Sequence, residues 1–316
     1  MATYNGEKYI LEQLESICKQ TVKVDEIVIV DDCSQDSTVA LIKDFIGEHS
    51  TYNIRFFENE KNLGYKKNFH KAMSLCEGEI IFLSDQDDIW LEHKVETLRK
   101  ILNEQDEISL ISSSFMYVDG QGNKNDENRK VYKKKILRNE LANVPIEDLL
   151  FHNISQGCSM AMKKEIKDIY LEHFTEELPH DRMLNVIAST KKKCYYLNDP
   201  LFYYRIHDNN TIGLNEGLTW KEKNTYPVRM HDSEQAFEVI RFIKNVDEEY
   251  YHNNMSVLRA ELFVIRHNKN LRTKNWIKLI FQNFNPLYWK LKTVRGRLLD
   301  IVFCFGNAKL YEEEEE

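Results

Sequence analysis

The 316-residue chain is long enough for one large domain and a smaller appendage, and its 42% of hydrophobic residues allow a well-developed core. A formal net charge of -8 argues against general nucleic-acid binding, so nucleic acid is not expected as a partner. The six cysteines form no CxxC pair, which favours reduced thiols over a disulfide framework or a zinc site. No signal-peptide pattern and no apolar run of transmembrane length is evident, and a cytoplasmic protein is expected.

The first half of the chain alternates between predicted helices and predicted strands. Asn5 can cap a first helix in which Ile10, Leu14 and Ile17 share one apolar face. Strands are predicted over residues 26–30, 53–57, 79–85 and 108–115, and further helices begin after residue 37, at Gly64 and near residue 91. This alternation is typical of βαβ units and predicts an α/β fold with a mainly parallel sheet and helices on both faces.

Two acidic clusters follow predicted strands. One is the pair Asp31 and Asp32, and the other, in "FLSDQDDIW", contains Asp85, Asp87 and Asp88. Ligands collect at the carboxyl ends of parallel strands, and carboxylate oxygens suit Mg²⁺ or Mn²⁺, which complete their shells with phosphate oxygens. A solvated acidic turn that caps the next helix is the alternative for the second cluster. The first pair can either cap a helix or accept hydrogen bonds from a base or ribose.

Basic residues in two further segments could contact a diphosphate. Lys66 and Lys67 follow Gly64, which allows close backbone approach, and they could offset diphosphate charge, although lysine pairs on helices are usually solvated. Arg205 suits phosphate recognition. A neutral His207 can ligate a metal, whereas a lone histidine more often satisfies a local hydrogen bond.

A candidate general base lies in the segment "HDRML". Asp181 follows His180 and Pro179 beyond the first part of the predicted sheet, where its carboxylate could accept a proton from a substrate hydroxyl. Local sequence supports an N-cap role for the same aspartate at least as well. Both roles stay open on these residues alone.

Eight ordered segments resemble a known family. They are "ATYNGEKYI", "SICKQT", "EIVIVDDCSQDST", "NLGYKKNF", "GEIIFLSDQDDIW", "GCSMAM", "HDRML" and "PLFYYRIHDNN". In order and approximate spacing, over about residues 2–213, they resemble the family 2 glycosyltransferases with a GT-A fold. The combined pattern is most similar to bacterial rhamnosyltransferases and related enzymes of cell-surface polysaccharide assembly. The resemblance implies a GT-A domain over residues 1–217, followed by a helical appendage over residues 218–316.

The resemblance also implies roles on the donor side of a transferase site. A nucleoside pocket is expected at one end of the sheet, and close contacts to the donor are expected from several glycine and amide positions. The implied nucleotide- and donor-binding residues are Thr3, Asn5, Glu7, Asp32, Gly64, Lys67, Asn68, Asp85, Gly157 and Arg205. For Gly157, in "GCSMAM", the edge of a core strand is an equally good interpretation.

The remaining implied roles concern the metal and the chemistry. Asp85 and Asp87 match the family's DxD pair, with Asp87 as a direct ligand of Mg²⁺ or Mn²⁺ and Asp85 nearer the ribose. His207 matches a position that closes over the diphosphate and metal, with Arg205 beside it. Asp181 matches the catalytic base.

The implied reaction is an inverting transfer in a single displacement. One base suffices, because inversion forms no covalent glycosyl-enzyme, and the metal would stabilise the departing diphosphate. The expected donor is dTDP-L-rhamnose, with a UDP-hexose as the second choice. The expected acceptor is a saccharide or a lipid-linked saccharide in capsule, O-antigen or cell-wall polysaccharide assembly.

The chain departs from the family pattern at its start. Family members begin with an apolar strand of several residues before "TYN", and only Met1 and Ala2 precede Thr3 here. The first strand is therefore expected to be truncated. In a parallel sheet this strand would be central, so its loss predicts exposed apolar surface and a loosened nucleoside pocket.

The region after residue 218 lies outside the resemblance and is predicted to be helical. Between Glu261 and Asp300 there is no acidic residue, and the segment carries a local charge of +9 with aromatic residues interleaved. Its basic residues are Arg266, Lys269, Arg272, Lys274, Lys278, Lys290, Lys292, Arg295 and Arg297. Such a segment favours peripheral contact with an anionic membrane, here the inner face of the plasma membrane. A helical appendage that packs its aromatics on the first domain is the alternative.

Two rival functions can be set against sugar transfer. A metal-dependent phosphohydrolase would need a nucleophilic aspartate followed by a fixed Thr or Lys on later strands, and no such pattern is found. A degenerate, non-catalytic module that binds nucleotide-sugars or docks on membranes is compatible with the truncated first strand. Binding of a nucleotide-sugar without turnover would identify that second alternative.

Overall fold

The computed structural model describes residues 1–130, 132–133, 135–207 and 226–305. The chain divides into two compact units. Unit 1 comprises Met1–Pro145 and Asn153–Asn209, and unit 2 comprises Ile146–His152 and Asn210–Glu316. The predicted boundary between residues 217 and 218 lies outside the described residues. The sequence patterns did not indicate that residues 146–152 group with unit 2.

Unit 1 contains ten strands and six of the described helices. The strands are β1 (Ala2–Thr3), β2 (Ile27–Asp31), β3 (Ile54–Glu58), β4 (Ile80–Phe82), β5 (Ile89–Trp90), β6 (Leu110–Asp119), β7 (Lys124–Lys130), β8 (Leu141–Asn143), β9 (Met160–Lys163) and β10 (Cys194–Ile206). The helices are α1 (Ile10–Cys18), α2 (Thr38–Glu48), α3 (Tyr65–Leu75), α4 (Lys94–Glu104), α6 (Lys164–Glu172) and α7 (His180–Thr190), while α5 (Ile146–Leu149) belongs to unit 2. A short 3₁₀ turn spans Gly157–Ser159. The predicted α/β class is confirmed.

The first sheet has the parallel order β1-β2-β3. As expected, the first strand is short, and its two residues pair with β2 through Ala2 opposite Val30 and Thr3 opposite Asp31. The N-terminal ammonium donates to the carbonyl of Val28 at 2.8 Å, and this bond extends the pairing by one residue.

The predicted exposure of apolar surface beside the short strand is wrong for β2. Its apolar side chains, from Ile27 to Val30, are at most 6% exposed. One face, with Ile29, packs into the cluster that contains the apolar stripe of α1 and Phe45 of α2. The other face packs on Ala72 of α3. Helices therefore cover both faces of this sheet, because alternate side chains of a strand point to opposite sides.

The second sheet is mixed, and the prediction of a mainly parallel arrangement is wrong for it. Its order is β4-β9-β6-β10-β5, with β7 on β6 and β8 on β10, and only the β10–β6 pairing is parallel. Two of the five antiparallel pairings are made by β9, which lies between β4 and β6, and the strands β5, β7 and β8 make the other three. Met160, Ala161 and Met162 of β9 are fully buried, so the second half of "GCSMAM" lies in a central strand, and Gly157 lies in the turn that precedes it.

Two strand ends converge on the acidic loop between β4 and β5. The end of α1 lies beside β5 and the start of α4. Ser16 accepts a hydrogen bond from the N–H of Trp90. Gln20 donates to the carbonyl of Leu91 and accepts from the N–H of Val95. Asn5 does not cap α1, which begins five residues later, and its φ of 48° places it in a tight turn instead. The predicted apolar face of α1 is confirmed, since Ile10 and Leu14 are fully buried.

Unit 2 is helical, as predicted. Its described helices after residue 225 are α8 (Tyr226–Val246), α9 (Glu248–Asn253), α10 (Met255–Arg272), α11 (Trp276–Gln282), α12 (Pro286–Leu291) and α13 (Val294–Phe305). Asn254, Asn275 and Asn285 each accept a backbone hydrogen bond at the start of a helix, as asparagine N-caps do. Among the described helices, none combines the length and the apolar character needed to cross a membrane.

The core of unit 2 contains a buried polar network. The carboxylate of Asp300 accepts a hydrogen bond from Tyr288 at 2.8 Å and pairs with Lys292 at 2.9 Å, and all three side chains are buried. Lys292 is one of the nine basic residues assigned above to the basic segment. Lys292 is therefore not part of an exposed basic surface, and Asp300 supplies the counter-charge that a buried cation needs.

Candidate active site

The acidic loop between β4 and β5 is tied to the first segment of the chain. The side chain of Gln86 donates to the carbonyl of Tyr4 at 3.0 Å and accepts from its N–H at 2.9 Å. A Cβ at Gly6 would lie 2.3 Å from the Gln86 Oε1 atom, so a larger residue there would displace the Gln86 side chain from these two bonds. This pair of bonds joins "TYNG" to "DQDD". Neither Tyr4 nor Gln86 was among the predicted site residues.

Asp87 and His207 face each other across the site. The Oδ2 atom of Asp87 lies 2.9 Å from Nε2 of His207, and the His207 ring packs against Tyr9 with centroids 4.9 Å apart. Both Asp87 and His207 are mostly buried, at 16% and 15% side-chain exposure. The structure therefore brings together the two residues that were predicted as metal ligands, although they are 120 positions apart.

Arg205 hydrogen-bonds to the backbone of the acidic loop. Its Nε donates to the carbonyl of Asp87 at 2.7 Å, and Nη1 donates to the carbonyl of Asp119 at 3.1 Å. Nη2 pairs with Glu12, and the guanidinium lies over the Tyr9 ring at 4.5 Å. With 2% exposure, Arg205 holds the loop through these contacts, and its predicted contact with donor phosphate stays a prediction.

Burial and mutual repulsion disfavour the charged forms of the loop carboxylates. Burial, the charge of Asp87 and, more weakly, the charge of Asp181 raise the pKa of Asp85 to about 7. Burial and the charges of Asp85 and Asp87 raise the pKa of Asp88 well above its ordinary value. The Oδ2 atom of Asp88 is buried and has no hydrogen-bond partner among the described residues. A cation at this cluster would stabilise the ionised carboxylates.

A buried lysine lies behind the same cluster. Lys94 is fully buried, donates to the carbonyl of Cys158 at 2.7 Å, and lies over the rings of Trp90 and Phe202 at 4.0 and 4.4 Å. Burial lowers its pKa to about 8, and the charge of Asp88 opposes that shift. Two aromatic faces and a carbonyl therefore replace water around this ammonium group. Lys94 was not predicted from the sequence, since a lysine in the first turn of a helix gives no signal of burial.

The carboxylates fit a hard divalent cation better than a thiolate-binding metal. Ligand atoms of Asp85, Asp88 and Cys158 lie within 4.8 Å of one another. Burial raises the pKa of the Cys158 thiol well above its ordinary value, so the sulfur stays protonated and ligates poorly. The 2.9 Å separation of the Asp87 and His207 ligand atoms is close to the spacing of adjacent ligands around an ion with bonds of roughly 2.1 Å. These observations suit Mg²⁺ or Mn²⁺.

Asp181 lies in the first turn of α7, beside the acidic loop. It is 5% exposed, its Oδ2 accepts from the Asn153 side chain at 2.7 Å, and its Oδ1 accepts from the backbone N–H of Arg182 at 2.7 Å. Burial raises its pKa to about 6, and the two hydrogen bonds oppose that shift. The residue does not cap the helix, because the N-cap is Pro179. A carboxylate with a raised pKa is suited to accept a proton near neutral pH.

His180 separates Asp181 from the turn at Gly157. Its ring stacks on Phe69 with centroids 4.0 Å apart, and neither ring nitrogen has a hydrogen-bond partner among the described residues. Burial lowers its pKa to about 3, so the ring is neutral. A Cβ at Gly157 would lie 2.4 Å from His180 Nε2. Gly157 therefore makes room for this imidazole, and its predicted proximity to the sugar stays a prediction.

The predicted nucleoside residues at the start of the chain are held by polar contacts with the β2–α2 loop. Thr3 is 1% exposed and donates to Asp31 at 2.8 Å. The side chain of Asn5 accepts from the backbone of Gln35 at 2.8 Å, and the side chain of Glu7 accepts from the backbone of Ser37 at 2.9 Å. These contacts hold the β2–α2 loop against the start of the chain, and nucleoside binding by Thr3, Asn5 and Glu7 stays a prediction.

Asp32 organises the turn that precedes α3. One carboxylate oxygen accepts from the Asn59 side chain and from the N–H of Leu63, and the other accepts from the N–H of Gly64, each at 2.8 Å. Gly64 has a φ of 80°, which glycine adopts readily. Asn68 is buried and donates to the carbonyl of Val30 at 2.9 Å. Asp32, Gly64 and Asn68, all predicted to bind the donor, therefore meet at the carboxyl end of β2.

Lys67 is engaged elsewhere in this structure. Its ammonium lies 2.8 Å from Glu176 Oε1, with both side chains largely exposed. An exposed ion pair of this kind contributes little stability and exchanges partners easily. The predicted contact of Lys67 with the diphosphate stays a prediction.

Comparison with known proteins gives one consistent result. The model of glycosyl transferase family 2 matches residues 1–169. A dTDP-rhamnosyl transferase, RfbG of Shigella flexneri, is 30% identical over 241 residues, which cover 72% of this chain and 79% of that protein. Glycosyltransferase GlyG of Streptococcus pneumoniae is 27% identical over 222 residues, which cover 69% of this chain and 73% of that protein.

A solved structure supports the fold. The S. aureus TarS 1-349 structure in complex with UDP-GlcNAc has a TM-score of 0.58 and 16% sequence identity, and the match covers 96% of this chain and 87% of that one. At this level of identity the likeness concerns the fold alone. The family model and the Shigella relative, taken with the acidic loop and Asp181, show that the chain belongs to glycosyl transferase family 2.

Proposed function

We propose that this chain is an inverting glycosyltransferase that moves a sugar from a nucleotide-diphosphate donor to a saccharide or lipid-linked acceptor, with Asp181 as the base. One observation carries the proposal. Asp181 is buried with a raised pKa of about 6 and lies near enough to the acidic loop for its charge to raise the pKa of Asp85. A proton acceptor therefore lies beside the loop that would hold the donor's diphosphate.

The base and its neighbours account for the proton transfer. Asp181 would take the proton of the acceptor hydroxyl as that oxygen attacks the anomeric carbon from the face opposite the nucleotide. Asn153 fixes one carboxylate oxygen by its 2.7 Å hydrogen bond, and Asn185 in turn donates to Asn153 at 3.1 Å. One carboxylate oxygen is thereby oriented, while the second carries only a backbone hydrogen bond. Such fixed geometry lowers the reorganisation needed during reaction.

Asp87 and His207 would hold the metal, with Asp85 beside them. When bound, Mg²⁺ or Mn²⁺ supplies positive charge that stabilises the departing diphosphate. Arg205 holds the backbone of Asp87 in place through its bond to the carbonyl of that residue, at 2.7 Å. Tyr9 packs on the His207 ring and on the Arg205 guanidinium, so it positions both residues.

For the donor, we propose dTDP-L-rhamnose first and a UDP-hexose second. The first choice is supported by the resemblance to bacterial rhamnosyltransferases and by the named activity of the Shigella relative at 30% identity. The expected process is bacterial capsule, O-antigen or cell-wall polysaccharide assembly, and the reaction is placed in the cytoplasm. A degenerate, non-catalytic module that binds nucleotide-sugars or docks on membranes is the alternative.

Calorimetry and product analysis test the proposal. Binding of dTDP-rhamnose, UDP-glucose and UDP-galactose is measured with and without Mn²⁺ on the native chain, on Asp87→Ala and on Asp44→Ala. Asp44 is an exposed carboxylate of α2 and serves as the matched control. Metal-dependent binding of one donor that only Asp87→Ala abolishes supports the site. Inversion at the transferred sugar, read by NMR on the product, supports the mechanism, whereas binding without turnover supports the alternative.

Peripheral contact with an anionic membrane is a separate proposal for unit 2. It is supported by the basic residues of the 262–299 segment other than the buried Lys292, and by the exposed side chains of Trp276, Phe284 and Trp289. Basic residues near an anionic surface contribute on the order of 1 kcal/mol each. Co-sedimentation with vesicles that contain phosphatidylglycerol, compared with neutral vesicles, tests this contact.

A further inference from the structure

Unit 2 contains an open groove with a volume of about 970 Å³. It is lined by residues of the 147–151 segment, by α10 and by α11 and α12, all of which belong to the same unit. The volume lies near the upper end of the range for small-molecule sites. The sequence patterns of the basic segment did not indicate this groove.

The wall of the groove is apolar. Phe151 and Phe263 are buried at its base, with 5% and 4% exposure, and their rings meet edge to face at 6.5 Å. Leu262 and Phe281 are 52% and 67% exposed at its sides. Exposed leucine and phenylalanine side chains beside a buried aromatic base favour an apolar occupant, because covering them removes apolar surface from water.

The rim of the groove is cationic. Five exposed basic side chains line it, namely Arg259, Arg266, Lys269, Lys278 and Lys290, whereas Glu147 is the only carboxylate among its lining residues in the described part of the chain. Within residues 226–305 and 146–152, none of the five forms an ion pair with a carboxylate. Arg259, Arg266 and Lys269 recur at helical spacing on α10, so they share one face of that helix.

The combination restricts the chemistry of the occupant. A free phosphate would pair with the cations and leave the apolar wall exposed, and a neutral lipid would cover the wall and leave the cations without counter-charge. We propose that this groove binds a single-chain amphiphile that carries a phosphate group, with the chain along the apolar wall and the phosphate at the basic rim. The proposal goes beyond sugar transfer and is tested by binding alone, so it stands or falls independently of the transferase reaction.

Binding of decyl phosphate to the full chain, measured by calorimetry below its micelle concentration, tests the proposal. Inorganic phosphate and decyl maltoside are the comparison ligands, each of which lacks one half of the proposed chemistry. Decyl phosphate is expected to bind at least about tenfold more tightly than either comparison ligand. The double variant Arg266→Gln/Lys269→Gln and the wall variant Leu262→Asn are each expected to weaken decyl phosphate binding by about tenfold or more.

The control variant is Arg295→Gln. Arg295 is an exposed arginine of α13 in the same unit and does not line the groove, so its substitution is expected to leave binding unchanged. Equal affinity for inorganic phosphate would overturn the proposal in favour of a simple anion patch. Equal affinity for decyl maltoside would reduce the groove to an apolar patch. Binding to phosphatidylglycerol vesicles without binding of monomeric decyl phosphate would show surface docking instead and would also overturn it.

Discussion

The Asn153 side chain donates a hydrogen bond to the Oδ2 atom of Asp181 at 2.7 Å. Asn153 also accepts a hydrogen bond from Asn185, which lies about one turn after Asp181 on the same helix. The proposed base is therefore held by a residue that no sequence pattern marked. Its orientation depends on a short polar chain that runs from α7 back to the segment before Gly157.

Replacing Asp181, the proposed base, should have separate effects on activity and on stability. Asp181→Asn should lower kcat by about 10²- to 10⁴-fold, because the acceptor hydroxyl loses its proton acceptor. The same change should leave the free energy of unfolding equal or higher at neutral pH, since burial disfavours the charged carboxylate that it removes. Product formation and urea denaturation measure the two effects. A variant that loses activity and stability together would point to a structural role for Asp181.

The activity should depend on pH through the same residue. The pKa of Asp181 is raised to about 6, so kcat/KM should fall as the pH drops below about 6, where the base becomes protonated. Asn153→Ala should move this limb to higher pH, because the lost hydrogen bond favours the ionised form. Initial rates across the pH range, at saturating metal, measure the shift. An unmoved limb would exclude Asn153 as a determinant of the Asp181 pKa.

The contribution of Asp181 to the free energy of unfolding should fall as the pH rises, whereas the activity should rise. Because the folded pKa lies above the ordinary value of 3.8, protonated Asp181 favours the folded state, and that contribution is lost as the pH rises through about 6. Comparing the free energies of unfolding of the native chain and Asp181→Asn on both sides of that pH isolates the contribution. The difference between the two free energies of unfolding should change between pH 3.8 and about 6 and be constant well above pH 6.

Gly157→Ala should be destabilising because a Cβ would lie 2.4 Å from His180 Nε2. A cost of about 1–3 kcal/mol is expected for overpacking of this kind. His180→Ala removes the clash, so the double variant should be less destabilised than the sum of the two single changes. Gly47→Ala is the control, since Gly47 is exposed near the end of α2 and a Cβ there would meet no atom within 4 Å. Thermal unfolding of the four variants measures the coupling, and strict additivity would contradict it.

Arg205 and its ion-pair partner should differ in importance. Arg205→Met leaves the carbonyl of Asp87 without its donor and removes one of two donors to the carbonyl of Asp119, which also accepts from the N–H of Gly122. A loss of about 1–3 kcal/mol is expected, together with weaker metal-dependent donor binding. Glu12→Gln should cost less than about 1 kcal/mol, because the Glu12 side chain is 52% exposed and screened by solvent. Urea denaturation compares the two variants. Equal costs would show that the ion pair, rather than the carbonyl contacts, is the main contribution of Arg205.

The sequence was sufficient to predict the elements with strong periodicity and the position of the acidic loop. The apolar stripe of α1, the continuous apolar run of β2 and the placement of Asp85 and Asp87 after β4 all follow from local patterns. It was insufficient for the direction of β9, because a four-residue strand with three apolar residues carries no information on which strands will flank it. The alternation of helices and strands ends before that segment, and the parallel prediction had no basis beyond it.

The supporting residues of the site were also beyond local prediction. Lys94 has the sequence context of an ordinary helical lysine, and its burial is decided by Trp90, Phe202 and the carbonyl of Cys158, which converge on it from separate elements. Arg205 was expected to contact phosphate, yet the structure shows its guanidinium bound to backbone carbonyls. Which partner a cation finds depends on tertiary contacts, and residue type and spacing do not specify these.

The insertion of β9 between β4 and β6 has a consequence for the order of assembly during synthesis. The first sheet needs only residues up to Glu58, so it can form early as the chain emerges. By contrast, β4 gains its partner only when residues 161–163 have been made, and Asp87 meets His207 only after all of β10 has followed. The contact of Gln86 with Tyr4 can therefore form early, whereas the contacts of Arg205 and His207 with Asp87 are absent for much of translation. Any ligand that needs both Asp87 and His207 can bind only once β10 is in place.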